Sequence, residues 1–89
     1  MVRGKVTVVN PSGFHLRPAG LLSKTAMVYK SSVVFHYREQ NSANAKSVLS
    51  VLGAAIKCGE EIEFICDGPD EKEALEAIIN IVKSGLGEE

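Results

Sequence analysis

The sequence predicts an α+β fold, an antiparallel sheet with helices packed on one face, and three observations lead there. Short β-branched stretches that alternate apolar and polar residues are interleaved with stretches of helical spacing. Their order along the chain is β-α-β-β-α-β-α. The connections between them are short, which suits antiparallel strands and helices stacked as two layers. With no repeat, linker or low-complexity segment, residues 1–89 are expected to form a single domain.

Lys5–Val9 is β-branched and alternating, so it reads as a strand with Val6 and Val8 inward. Asn10-Pro11-Ser12-Gly13 is a turn cluster. From Leu16 to about Val28 the spacing turns helical, with Leu16, Ala19, Leu22 and Ala26 along one face. Val33–Arg38 is a second strand, with Val33, Phe35 and Tyr37 sharing a side and His36 facing solvent. Glu39 to Asn44 is a polar loop with room for a short strand at its end. Ser47 is placed to cap a short helix holding Val48, Leu49, Val51 and Leu52, and Lys57-Cys58-Gly59 breaks it. Glu61–Cys66 is the last strand, with Ile62, Phe64 and Cys66 inward, and Asp67-Gly68-Pro69 turns the chain. Asp70 and Glu73 have capping-box spacing before a helix whose stripe runs Leu75, Ile78, Ile79, Val82. Gly85 ends that helix and leaves Leu86–Glu89 as a short acidic tail.

Composition narrows the function. Hydrophobic residues make up 45% and charged residues 24%, as in an ordinary globular protein. No apolar run is long enough to cross a bilayer, and Met1–Asn10 lacks the apolar stretch of a signal peptide, so a cytoplasmic protein without membrane contact is expected. Cys58 and Cys66 are then expected as free thiols, and Cys58, in a turn, reads as inert by default with oxidation as the alternative. They and the two histidines lack the close spacing of a metal site, and no metal or other cofactor is expected. Residues 1–46 hold seven Lys or Arg against Glu39 alone, a balance of +6, and residues 47–89 hold three Lys against ten acids, a balance of −7. The basic half suits an acidic or phosphorylated partner. Nucleic acid is not expected, because no dense basic cluster or aromatic stacking pair accompanies the charge.

Gly13-Phe14-His15-Leu16-Arg17-Pro18-Ala19 carries the chemistry. A histidine sits where a helix begins, an arginine follows two residues later, and a proline occupies the first turn, where its missing N–H costs nothing. With His15 as N-cap, the Leu16 and Arg17 amides point out of the helix beside the imidazole. Free amides, the positive helix end and the Arg17 guanidinium together favour a phosphoryl group. Imidazole suits its reversible transfer, being a nucleophile near neutral pH and a good leaving group. Gly13 gives the backbone freedom to set the ring at the surface. An isolated histidine would read as a plain cap, but the joint G-x-H-x-R-P-A pattern between strand and helix outweighs that alternative.

The segment is similar to the active-site signature of the HPr family, the histidine-containing phosphocarriers of the bacterial sugar phosphotransferase system. The likeness continues through Asn44–Leu49, Gly59–Ile62 and Asp67–Leu75, and covers essentially the whole chain. The resemblance implies an open-faced β-sandwich, a four-stranded antiparallel sheet with three helices on one side. It implies a monomeric carrier rather than an enzyme, receiving a phosphoryl group from enzyme I and delivering it to the IIA units of sugar permeases. His15 would accept through Nδ1, with Arg17 as phosphate partner. Ser47 matches the position phosphorylated by HPr kinase/phosphorylase in many relatives, which would add that enzyme and a catabolite-control transcription factor as partners. Leu16, Val48, Leu49 and Leu52 would form the docking surface, against the plainer reading that part of this set is core. The loop Glu39–Ala43 is about one residue longer than in common relatives, and Gly20 costs its helix up to ~1 kcal/mol. The Val48–Leu52 helix differs from the usual Gram-positive one, while Gly68-Pro69 and Ser84-Gly85 resemble the nitrogen-related branch. The rival readings are a carrier of that nitrogen-related relay, a regulatory docking module, and a small-ligand domain in which His15 is incidental.

Overall fold

The computed structural model describes residues 1–88. Seven elements follow one another: β1 (Val2–Thr7), α1 (Leu16–Met27), β2 (Ser32–Tyr37), β3 (Asn41–Asn44), α2 (Val48–Ala54), β4 (Glu61–Asp67) and α3 (Glu71–Lys83). The strands form one antiparallel sheet in the order β1-β4-β2-β3. Registers Val6↔Ile62, Gly4↔Phe64, Phe35↔Phe64 and Phe35↔Ala43 align the apolar sets of all four strands on one side. The period of two then leaves Arg3, Lys5, His36 and Glu61 on the outer face. The expected architecture stands: three helices cover one face and the other is open.

Packing follows from side-chain size. α3 crosses β1 and β4, setting Ala74, Ile78 and Val82 into the core, and Leu75 and Ile79 half-buried at its edge. It comes close at Gly4, where an added Cβ would lie 2.8 Å from Ile79 Cδ1. Phe14 meets Phe35 edge-on at 5.6 Å and Phe35 meets Phe64 at 5.5 Å, geometries that aromatic rings favour. The residue before His15 is thus part of the core.

Several boundaries move. β1 starts at Val2, not Lys5, because its pairing with β4 begins at Val2↔Cys66, and Gly4 hides the alternation. Val8 is buried as expected but lies beyond the strand. Arg38 leaves β2 for the turn, with Glu39 also at positive φ. α2 stops before the expected breaker: Ala55 turns left-handed, and Arg38 donates from Nη1 to the Ala54 carbonyl at 3.0 Å and from Nη2 to the Ala55 carbonyl at 2.8 Å. A distant guanidinium satisfies the last carbonyls that a local glycine would otherwise serve.

The third helix begins differently from expectation. Asp70 makes no side-chain cap bond, so the capping box is not formed. Its carboxylate accepts instead from Lys30 N, Ser31 N and Ser31 Oγ. At the other end, Gly85 N donates to the Val82 carbonyl and Leu86 N to the Ile81 carbonyl, both at 3.1 Å, a Schellman closure. Leu86 is only 2% exposed, so the supposed acidic tail opens with a core residue. Glu89 lies outside the described residues. Among the described residues, no helix is long and apolar enough to cross a membrane, and no group of His, Cys, Asp and Glu is placed to hold a metal.

Candidate functional site

The site grows from the turn after β1. Gly13 adopts φ +65°, and a Cβ there would collide with the Ile56 carbonyl and lie 2.8 Å from Lys57 Cα. Only glycine fits, because the backbone of Ile56 and Lys57 leaves no room for a Cβ, and the positive φ favours it further. The close approach lets Phe14 N donate to the Ile56 carbonyl at 2.9 Å while the Phe14 ring enters the core. With its neighbour anchored inward, His15 faces out.

His15 is the N-cap of α1, in extended conformation with φ −78° and ψ −179°. Its carbonyl accepts from Ala19 N at 2.8 Å and starts the helix, while its imidazole makes no cap hydrogen bond. Pro18 is buried in the first turn, and Leu16 and Arg17 are exposed beside the ring. The Leu16 and Arg17 amides have no acceptor within the helix, as for any first turn. No acidic residue occupies that turn to offset the positive helix end. Leu16, expected on the buried face, is 70% exposed; the buried face is Pro18, Ala19, Leu22, Ser23 and Ala26. One residue past the N-cap, its side chain points away from the sheet.

A carboxylate missed by sequence reasoning stands beside this turn. Glu88 Oε1 accepts from Asn10 Nδ2 at 3.0 Å and Ser12 N at 3.1 Å, and Glu88 Oε2 accepts from Ser12 Oγ at 2.7 Å. The Ser12 hydroxyl first, then the Asn10 amide, hold the Glu88 carboxyl below its ordinary pKa, and the charge of His15 adds to the effect. Nothing local in the sequence links residues so far apart.

Ser47 caps α2: Ser50 N donates to Ser47 Oγ at 3.2 Å. Just before it, Ser23 Oγ donates to the Lys46 carbonyl and Lys46 Nζ to the Tyr29 carbonyl, each at 2.8 Å, fastening the start of α2 to α1. In α2, Leu49 is 81% exposed, Val48 and Leu52 are half-buried against the core, and Val51 is buried. His36 is exposed on β2, away from the helices. Both thiols are free: Cys58 is exposed, while burial raises the pKa of Cys66.

Comparison with known proteins gives a consistent set. The family model described as the PTS HPr component phosphorylation site matches residues 2–84. The phosphocarrier protein HPr of Treponema pallidum (strain Nichols) is 38% identical over 89 residues, which is 100% of this chain and 100% of that one. A crystal structure of HPr-C-His from Thermoanaerobacter tengcongensis has TM-score 0.94 at 29% identity, covering 100% of this chain and 99% of that one. The histidine-containing phosphocarrier protein of Mycoplasma has TM-score 0.86 at 31% identity, covering 96% of this chain and 97% of that one.

Proposed function

The chain belongs to the HPr family, the phosphocarrier proteins of the phosphotransferase system, and from that premise we propose that His15 carries the phosphoryl group. Members of this family are carriers rather than enzymes, so the chain is an acceptor and donor consumed and renewed in each cycle. The observation that supports His15 is its exposed imidazole at the N-cap of α1, which makes no cap hydrogen bond, with first-turn amides beside it. The neutral ring attacks phosphorus through Nδ1; a P–N bond forms as the bond from phosphorus to the donor breaks, and the second transfer reverses the step. The Leu16 and Arg17 amides and the Arg17 guanidinium offset the charge on the phosphoryl oxygens. Residues 1–89 act as one such domain in the cytoplasm, with enzyme I as donor and IIA units of sugar permeases as acceptors.

Incubation with enzyme I and phosphoenolpyruvate, read by intact mass and acid lability, tests this. His15→Ala is expected to take no label with its fold intact, and Arg17→Ala to take label slowly. Label that persists in His15→Ala would overturn the assignment.

Ser47 is proposed as a regulatory site for HPr kinase/phosphorylase, with a catabolite-control transcription factor reading the modified form. A phosphate would suit the start of α2, yet its charge would sit next to the exposed Leu49 and burden any apolar contact there. Kinase and ATP should label Ser47 and slow the phosphorylation of His15. Equal His15 rates with and without phosphate on Ser47 would leave Ser47 a helix cap.

A further inference from the structure

We propose that Glu88 is a positioning residue for phosphoryl transfer, acting by locking the Asn10–Ser12 turn that leads into His15. The inference rests on His15 as the phosphoryl carrier. Glu88 is held where it is by the fold. Gly85, Leu86 and Gly87 all take positive φ (93°, 51° and 81°), and the burial of Leu86 pins the reversal that follows α3. Glu88 N then donates to the Gly85 carbonyl at 2.9 Å, and the side chain reaches the turn.

Three donors from two residues converge on this one carboxylate. Asn10, 1% exposed, uses the same Nδ2 to donate to the Gly13 carbonyl at 2.6 Å. A reversed Asn10 amide would set Oδ1 against the oxygens of Glu88 and Gly13, so Glu88 and the Gly13 carbonyl together fix which way Asn10 faces. Asn10 in turn holds the Gly13 carbonyl, and Gly13 is the most conformationally free backbone before the ring. The chain of contacts runs from Glu88 through Asn10 to Gly13 and so to the Phe14–His15 backbone. Glu88 makes no hydrogen bond to the imidazole, so it acts mainly through the turn, its charge near His15 being a secondary influence that Glu88→Gln removes while keeping the turn contacts. Transfer depends steeply on where the ring sits relative to the donor phosphorus. The exposed apolar residues Leu16 and Leu49 lie on α1 and α2, where a change at Glu88 leaves them alone.

The test measures the kcat and KM of enzyme I with the carrier as its substrate, beside the melting midpoint of each variant. Glu88→Ala should lower kcat by roughly five- to tenfold, with KM unchanged. Glu88→Gln should restore most of the rate: Oε1 still accepts from Asn10 and Ser12 N, and Nε2 donates to the Ser12 hydroxyl. In the Ser12→Ala background the further loss from Glu88→Ala should shrink. Full speed in Glu88→Ala, a raised KM with unchanged kcat, a Gln variant as slow as the Ala variant, or unfolding that accounts for the lost rate would each overturn the proposal. A wild type that takes no phosphate on His15 would remove the premise instead.

Discussion

His15 is left exposed at the helix start because its neighbours do the structural work. Phe14 is bound to the core by its ring and its amide, and Gly13 supplies the close backbone approach that any Cβ would block. Asp70 shows the same division at a structural site. Its carboxylate is held at a pKa of about 2, against an ordinary 3.8, first by the Ser31 hydroxyl and then by the Lys30 and Ser31 amides. The folded pKa is depressed, so the unfolded chain binds the proton more readily. The contribution to stability is therefore complete above the unfolded value of 3.8 and is lost as pH falls toward about 2. Denaturant unfolding of wild type and Asp70→Asn should accordingly show a gap near neutral pH that closes across that window. A gap unchanged through that window would mean that the carboxylate charge is not what the Ser31 contacts hold.

Among the elements, α2 separates exposed from structural apolar residues within one turn. Leu49 lies almost fully in solvent and Val51 is fully buried. Leu49→Asp should leave the melting midpoint near wild type, since exposed substitutions shift stability by about 0.5 kcal/mol or less. If Leu49 docks against enzyme I, the same change should weaken that binding by about 1–2 kcal/mol or more. Titration calorimetry and a thermal melt on one preparation separate the two effects; unchanged binding would take Leu49 out of the docking surface. Element periods were legible in the sequence because side-chain alternation and helical stripes are local. Element ends were not. α2 ends where Arg38 reaches its carbonyls, and the start of α3 lost its capping box because Asp70 found partners at Lys30 and Ser31. Such partners are set by tertiary contact, which a reading of neighbouring residues does not contain.

At the scale of the molecule, the charge asymmetry of the sequence becomes a spatial one. Lys46 and Arg38 are engaged internally, Arg3 and Lys5 lie on the open sheet face, and Lys30 follows α1, which leaves Arg17 and Lys24 as the cations on α1 itself. The acids Glu71, Glu73 and Glu76 lie on α3. The helix that begins at His15 is thus the basic one, an arrangement that would steer an acidic or phosphorylated partner. The G-x-H-x-R-P-A segment made the helix start and its exposed histidine legible, because every residue in it acts on its own neighbours. Glu88 stayed hidden, because its role depends on a chain reversal whose anchor, Leu86, looked like part of a tail. The chain contains two histidines, so protein made with isotope-labelled histidine shows only two rings in a nitrogen spectrum. On addition of enzyme I and phosphoenolpyruvate, the His15 Nδ1 signal should shift and split through coupling to phosphorus, with His36 unmoved. Splitting at His36, or phosphate taken up while the His15 ring stays unchanged, would contradict the account.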